Sequence, residues 1–173
     1  MSIRMIKETD WDAIMQIQSD AYASHLHEDL TVLQSKWIAS PTSCFVFTHA
    51  DDSVLGYLLA HPWLGNQVPK LGKAVVVDTG YCEVYLHDLA ISGDARGLGI
   101  ASQLINNFII AMQNVGCQRL LLTAVQDSAP FWQQYGFNCL EHISVCPSYG
   151  QGAKLMVLNL QAHSKHQSKP QSK

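Results

Sequence analysis

The feature that most constrains this chain is the run His87-Asp88-Leu89-Ala90-Ile91-Ser92-Gly93-Asp94-Ala95-Arg96-Gly97-Leu98-Gly99-Ile100-Ala101-Ser102. An apolar strand enters an Arg-Gly-x-Gly turn, and the turn opens an amphipathic helix. Beyond Gly99, apolar residues recur at Ile100, Ala101, Leu104, Ile105, Phe108, Met112 and Val115, which is helical spacing, and Gly116 stands where a helix should end. Glycine lets backbone approach a ligand because no Cβ intervenes. The N–H groups of a first helical turn lack partners within the helix, and the helix dipole favours an anion beside them. Arg96 adds a permanent positive charge with a forked donor set suited to phosphate. The segment reads as a pyrophosphate cradle built from Arg96, Gly97, Leu98, Gly99, Ile100, Ala101 and Ser102.

The nearest competing pattern is the dinucleotide fingerprint, since Gly97-x-Gly99-x-x-Ser102 lies one residue from it. That pattern requires an acidic residue at the end of the next strand. The next strand here, Arg119-Leu120-Leu121-Leu122-Thr123, runs into Ala124-Val125-Gln126 with no acid before Asp127. A nucleotide-dependent oxidoreductase is therefore disfavoured. A Walker loop is excluded, because no Gly-Lys-Ser/Thr follows the turn.

Arg96-Gly97-Leu98-Gly99-Ile100-Ala101 resembles the Gln/Arg-x-x-Gly-x-Gly/Ala motif of the GNAT superfamily of acetyl-CoA-dependent N-acetyltransferases. Phe131-Trp132-Gln133-Gln134-Tyr135-Gly136-Phe137 is similar to that superfamily's second landmark, a short helix running into Gly-Phe and a strand. Order and spacing agree from about Glu83 to Glu141, and the N-terminal half agrees in layout. The resemblance implies a GNAT-like α/β (α+β) fold: a central mixed, mostly antiparallel sheet of about six to seven strands, flanked by helices on both faces. It implies acetyl-CoA as co-substrate, with pantetheine along Leu89, Ala90 and Ile91, and a small-molecule or peptide amine as acceptor.

At 173 residues and 47% hydrophobic, the chain can bury one core without disulfides or metals. Residues 1–160 are expected to form a single domain. Residues 161–173 carry no large apolar side chain and should be disordered. A net charge of −3 without a basic stripe gives no sign of nucleic-acid binding. Neither a signal peptide nor a membrane span is visible, so the expected compartment is the cytoplasm. A homodimer is compatible with the sequence. The five cysteines contain no Cys-x-x-Cys pair, and Cys44, Cys139 and Cys146 lie in apolar, strand-like surroundings, which predicts reduced core thiols. Among eight histidines only His25-x-His27 is a close pair, without a Cys or acid at ligand spacing, and no metal site is expected.

The remaining elements follow from pattern. A strand is expected at Ile3–Ile6, with Thr9 or Asp10 capping a helix from about Trp11 to Tyr22. A second helix should run from Glu28 to Ala39 and stop before Pro41. Cys44–Thr48 and Val54–Ala60 flank Asp51-Asp52 as a hairpin. A long loop spans Trp63 to Tyr81, with a short strand at Val75-Val76-Val77. A central strand runs from Tyr81 to Ile91, and the last strand from Ala153 to Leu160.

Strict alternation along the central strand places Tyr85, His87 and Leu89 on one face and Val84, Leu86, Asp88 and Ala90 on the other. Both faces are mostly apolar, so His87 and Asp88 must each find a partner there. Acetyl transfer to an amine needs a base for the ammonium proton, and histidine titrates near the required pH. His87 is the expected base. The strand resembles that of the arylalkylamine N-acetyltransferases, with His87 and Tyr85 at their two histidine positions. Asp88 matches an acid that diamine acetyltransferases use to hold a cationic substrate. Asp88 could orient His87 only if the strand is bulged.

The superfamily's general-acid tyrosine corresponds to Trp132, whose indole cannot yield a proton near neutral pH. Tyr135 is the alternative acid, set against a packing role or an unassisted thiolate. His61, Trp63, Tyr85 and Glu83 are candidates to line the acceptor pocket, with Trp63 covering a core edge as the plainer alternative. A catalytically impaired acyl-CoA-binding module is the second reading, which the Trp132 departure makes tenable.

Overall fold

The computed structural model describes residues 1–64, 68–75 and 83–160. Strands β1 (Ser2–Met5), β2 (Phe45–Thr48), β3 (Val54–Pro62), β4 (Glu83–Ile91), β5 (Arg119–Ala124), β6 (Asn138–Cys139) and β7 (Lys154–Asn159) and helices α1 (Trp11–Ala21), α2 (Leu30–Ala39), α3 (Ile100–Asn114) and α4 (Ala129–Gln133) follow one another as β1-α1-α2-β2-β3-β4-α3-β5-α4-β6-β7. The strands form one sheet in the order β1-β2-β3-β4-β5-β7-β6. Pairing is antiparallel except between β4 and β5, which α3 joins as a parallel crossover. The mixed, mostly antiparallel sheet implied by the family resemblance is therefore present.

Helices cover both faces because the strands are apolar on both sides. On one face α3 lays Ile100, Leu104, Ile105, Phe108 and Met112 against Phe45, Phe47, Leu58, Ala60, Val84 and Leu86. Burying each of these larger side chains contributes roughly 1.5–3 kcal/mol. On the other face Trp11, Ile14 and Ile17 of α1 and Leu33 of α2 pack on Val46, Tyr57, Leu59 and Ala90. A third cluster joins Tyr85, Leu121, Leu155 and Val157.

The alternation expected along β4 fails at one place. Leu59 pairs with Asp88 and Ala60 with Leu86, so His87 is the extra residue of a β-bulge. The bulge switches which face each later residue takes. Val84 and Leu86 pack with the α3 cluster, and beyond the bulge so do Leu89 and Ile91, whereas Ala90 joins the α1 and α2 cluster. Asp88 thus comes to the same face as Tyr57 rather than that of Leu86.

Other differences are local. The second helix starts at Leu30, and Glu28 lies outside it as a buried loop residue. The first helix ends at Ala21, leaving Tyr22 extended. Asp10 precedes α1 as expected, but its carboxylate accepts from Arg4 and from the Lys7 N–H instead of capping the helix. Cys44 is buried in the core, whereas Cys146 stands in a loop and its sulfur accepts from Ser148 Oγ. Burial raises the Cys44 thiol to about 12. Residues 76–82, which include most of the expected Val75–Val77 strand and the expected start of β4, and the tail at 161–173 lie outside the described residues. Among the described residues no helix is long and apolar enough to cross a membrane.

Candidate active site

The site arises where two neighbouring strands part. β4 and β5 are paired from Glu83↔Arg119 to Leu86↔Leu122 and no further. Beyond that point β4 continues against β3, and β5 continues to Ala124 against β7. The separation begins at the His87 bulge, where extra twist is expected. It leaves backbone of β4 beyond Leu86 facing a gap instead of a partner strand. A cavity of about 340 Å³ takes its walls from both faces of the sheet: Arg96, Ala101, Phe131 and Trp132 from the α3 and α4 side, and Gln18, Tyr22, Leu26 and Glu28 from the α1 side. The cavity lies where the strands diverge, and His87, Asp88, Leu89, Ala90 and Ile91 of β4 line it along with Thr123 of β5.

At one mouth of this cavity lies the glycine turn. Gly97 and Gly99 have φ of +80° and +72°, left-handed values that a side chain rarely adopts. A Cβ built on either glycine would meet no atom within 4 Å, so the space over the turn is open. The α3 ladder begins with Gln103 N–H donating to Gly99 O at 3.2 Å, which leaves the N–H groups of Ile100, Ala101 and Ser102 ahead of it. Arg96 is exposed and lines the cavity, while Leu98 is exposed and Ile100 turns its side chain into the core. The Ser102 hydroxyl lies 2.6 Å from Tyr135 Oη. Trp132 is buried, packs edge-on against Phe131 and Phe137, and lines the cavity.

Against the other part of β4 lies a buried polar cluster. His87 Nε2 is hydrogen-bonded to Glu28 Oε2. The second Glu28 oxygen accepts from the Gly72 N–H at 2.6 Å and from Lys36 Nζ at 3.5 Å. Gln18 clamps the Glu28 backbone, accepting from its N–H at 2.8 Å and donating to its carbonyl at 3.1 Å. Lys36 also donates to Val32 O and Lys73 O. Burial raises the Glu28 carboxyl, but His87, Lys36 and the Gly72 N–H outweigh it and hold the group at about 2. Burial lowers the Lys36 ammonium despite that partner.

His61 is fully buried, with its ring 5.8 Å from His87, 5.6 Å from Tyr85 and 5.8 Å from Trp63. Its Nδ1 donates to Pro62 O at 2.9 Å, a pairing that leaves the lone pair on Nε2. Burial, helped by His87, lowers His61 to about 3, so it is neutral at ordinary pH. Tyr85 bonds Thr123 Oγ1 at 2.5 Å, and burial raises its phenol to about 12.

Asp88 does not orient His87, although the bulge permits a shared face. Its carboxylate accepts from Tyr57 Oη at 2.6 Å, and burial raises its pKa despite that bond, while the Tyr22 hydroxyl donates to Leu89 O at 2.8 Å. Glu28 occupies the place beside His87 instead. Glu83 is turned to Arg119, 2.9 Å away, which removes the reason to expect its carboxylate at an acceptor. Tyr135 is tied to Ser102, and the cavity wall at α4 comes from Phe131 and Trp132. Glu28, Lys36, Gln18 and Tyr57 escaped the sequence reading. The one local signal was at Lys36, which shares a helix stripe with Leu33 at the spacing of a buried face.

The profile of the acetyltransferase (GNAT) family matches residues 11–137. No curated protein matches the sequence. Among solved structures, Ard1 from Thermoplasma volcanium superposes with a TM-score of 0.71 at 18% identity, covering 92% of this chain and 97% of that one. The GphF GNAT-like decarboxylase in complex with isobutyryl-CoA gives 0.74 at 15% identity, over 93% and 100%. The ribosomal-protein-S18-alanine N-acetyltransferase from Escherichia coli gives 0.65 at 16%, over 95% and 97%. These likenesses concern the fold, which serves more than one reaction. The family match spans both the glycine turn and the Gly-Phe element, and this chain belongs to the acetyltransferase (GNAT) family.

Proposed function

We propose that the protein transfers the acetyl group of acetyl-CoA to a primary amine, on a small molecule or a peptide, in the cytoplasm. The observation that carries this reading is the gap between β4 and β5, with a helix start and open glycine turn at one end and a histidine on its wall. The donor set fits the co-substrate. Arg96 and the N–H groups from Gly97 to Ser102 would hold the pyrophosphate. The β4 backbone from Leu89 to Ile91, freed from β5, would hold the pantetheine amides, and Trp132 would pack on that arm or on the acetyl group.

Bound there, acetyl-CoA supplies a thioester carbonyl that an amine can attack. His87 takes the proton of the substrate ammonium, the free amine forms the new C–N bond as the C–S bond breaks, and the second proton that the nitrogen sheds passes through solvent to the departing thiolate. Asp88, held by Tyr57, offers a counter-charge for a cationic acceptor. Trp132 cannot return a proton to the thiolate. With Tyr135 bonded to Ser102, the thiolate leaves without a dedicated acid, which a thioester tolerates.

The test has two parts. Acetyl-CoA should protect the protein against thermal unfolding where NAD does not. A panel of amines, polyamines, amino acids and peptide N-termini should then release CoA thiol with at least one acceptor. Protection without release from any amine would favour the second reading, an acyl-CoA-binding module, to which the Trp132 substitution lends support. Protection by NAD alone would overturn both.

A further inference from the structure

The two ring nitrogens of His87 lie in opposite situations. Nε2 faces Glu28, while Nδ1 is buried and has no hydrogen-bond partner among the described residues. Both side chains of the pair are almost wholly withdrawn from water, at 3% and 2% exposure. An ionised carboxylate can only accept, so the nitrogen against it must carry hydrogen. Glu28 is kept ionised by Lys36 and by the Gly72 N–H, and its position is fixed from behind by Gln18. The neutral ring therefore has its lone pair on Nδ1.

We propose that Glu28 is a positioning residue for acyl transfer: it holds His87 in the tautomer whose proton-accepting nitrogen is Nδ1, and it stabilises the imidazolium that forms there. The inference rests on the reading of His87 as the base. The logic is that of a carboxylate–histidine pair with the nitrogens exchanged relative to the serine-protease arrangement. The proton passes from the substrate ammonium to Nδ1 by way of a water in the cavity that His87 lines, because Nδ1 has no exposed surface of its own, and the Nε2–H stays on His87, donating to Glu28 throughout.

The surrounding groups are consistent with this assignment. Lys36 of α2 neutralises the Glu28 charge while the ring is neutral. His61 of β3, packed against the His87 ring, is itself uncharged and does not compete for the proton. Tyr85 packs against the ring from the same strand. Among the described residues Asp88 and the neutral phenols of Tyr57 and Tyr149 are the other titratable groups near the pair. Of all these, Glu28 alone bonds the ring.

The first measurement uses the unaltered protein. In histidine-selective ¹⁵N labelling, with the His87 signals assigned by their loss in His87→Gln, the neutral ring should be the Nε2–H tautomer. An Nδ1–H tautomer would overturn the proposal even if no Glu28 variant folds. In kinetics, Glu28→Gln should lower kcat by on the order of a hundredfold. KM for acetyl-CoA should change by less than about twofold, because the cradle is untouched. Without the carboxylate the ring holds its proton less tightly, so the limb of kcat/KM that rises with pH should move to lower pH. Glu28→Asp should recover part of the rate and move the limb back. Wild-type rate and limb in Glu28→Gln, beside an inactive His87→Gln, would overturn the positioning role and leave the base standing. Wild-type rate and limb in His87→Gln would overturn the base and, with it, this inference.

Discussion

The glycine turn and the histidine cluster adjoin the same strand, yet they are made in different ways. The turn is one contiguous segment whose working groups are backbone N–H donors, and its glycines stand in open space. The cluster draws Glu28, Lys36, His61 and His87 from four separate segments and keeps all four side chains from water. A site built from backbone needs the right chain path and one permanent charge. A site built from buried titratable side chains needs every partner present, because an ion left unpaired in the interior is costly. The turn should therefore fail when its backbone path or the Arg96 charge is lost, whereas the cluster should fail by single side-chain changes that also alter pH behaviour.

The largest effect is expected at the turn. Gly99→Val places a β-branched residue at φ +72°, where it must abandon that conformation, while its Cβ would meet no atom within 4 Å. Acetyl-CoA binding by calorimetry should vanish with the far-ultraviolet spectrum retained. Wild-type affinity would mean that binding does not depend on the backbone path of the turn. Next comes His87→Ala, which should lower kcat by roughly a hundredfold or more and abolish the rising limb of the pH–rate profile. An unchanged profile would return His87 to packing alone.

His61 tests the cluster through stability. Its folded pKa is about 3 against 6.5 for the free side chain, so below pH 6.5 the unfolded chain binds a proton that the folded chain refuses. The contribution is fully present above the unfolded value and is lost as pH falls toward the folded one. Between pH 6.5 and 5 the wild type should lose about 2 kcal/mol from this group. His61→Phe should remove that part of the slope in a series of chemical denaturations, and an identical slope would contradict the assignment.

The smallest effect belongs to Trp132. If its indole acts by shape and stacking, Trp132→Phe should weaken acetyl-CoA binding by roughly 0.5–1.5 kcal/mol with little change in kcat. Tyr135→Phe should leave kcat nearly intact. A large loss there, with CoA affinity preserved, would make Tyr135 the acid.

The same contrast explains what was legible before the structure. The turn, α3 and the Gly-Phe element announce themselves through local spacing, and all appear near their expected bounds. Most strands followed from apolar runs and turn residues, because each is a local pattern, whereas their arrangement in one mostly antiparallel sheet followed from the family resemblance. The bulge at His87 did not, since an extra residue in one strand leaves no mark on composition and depends on the register with β3. Missing it assigned Asp88 to the wrong face and hid its bond to Tyr57. Glu28 resembled an acidic residue at a helix start, a position normally exposed. Only the fold reveals that Gln18, Gly72, Lys36 and His87 converge on it. Glu83 shows how a partner can stay hidden in sequence: its carboxylate pairs with Arg119 on the neighbouring strand.

The central claim is that the gap between β4 and β5 joins an acetyl-CoA cradle to a histidine base acting on an amine. Its most direct test is a product count across an amine panel, measuring released CoA thiol and acetylated amine in the same reaction at several pH values. One thiol should appear for each amide formed, at a rate that rises through a single limb in the wild type and collapses in His87→Ala. Thiol release that is equally fast without any amine, or amide formation that survives His87→Ala with the same pH dependence, would contradict it.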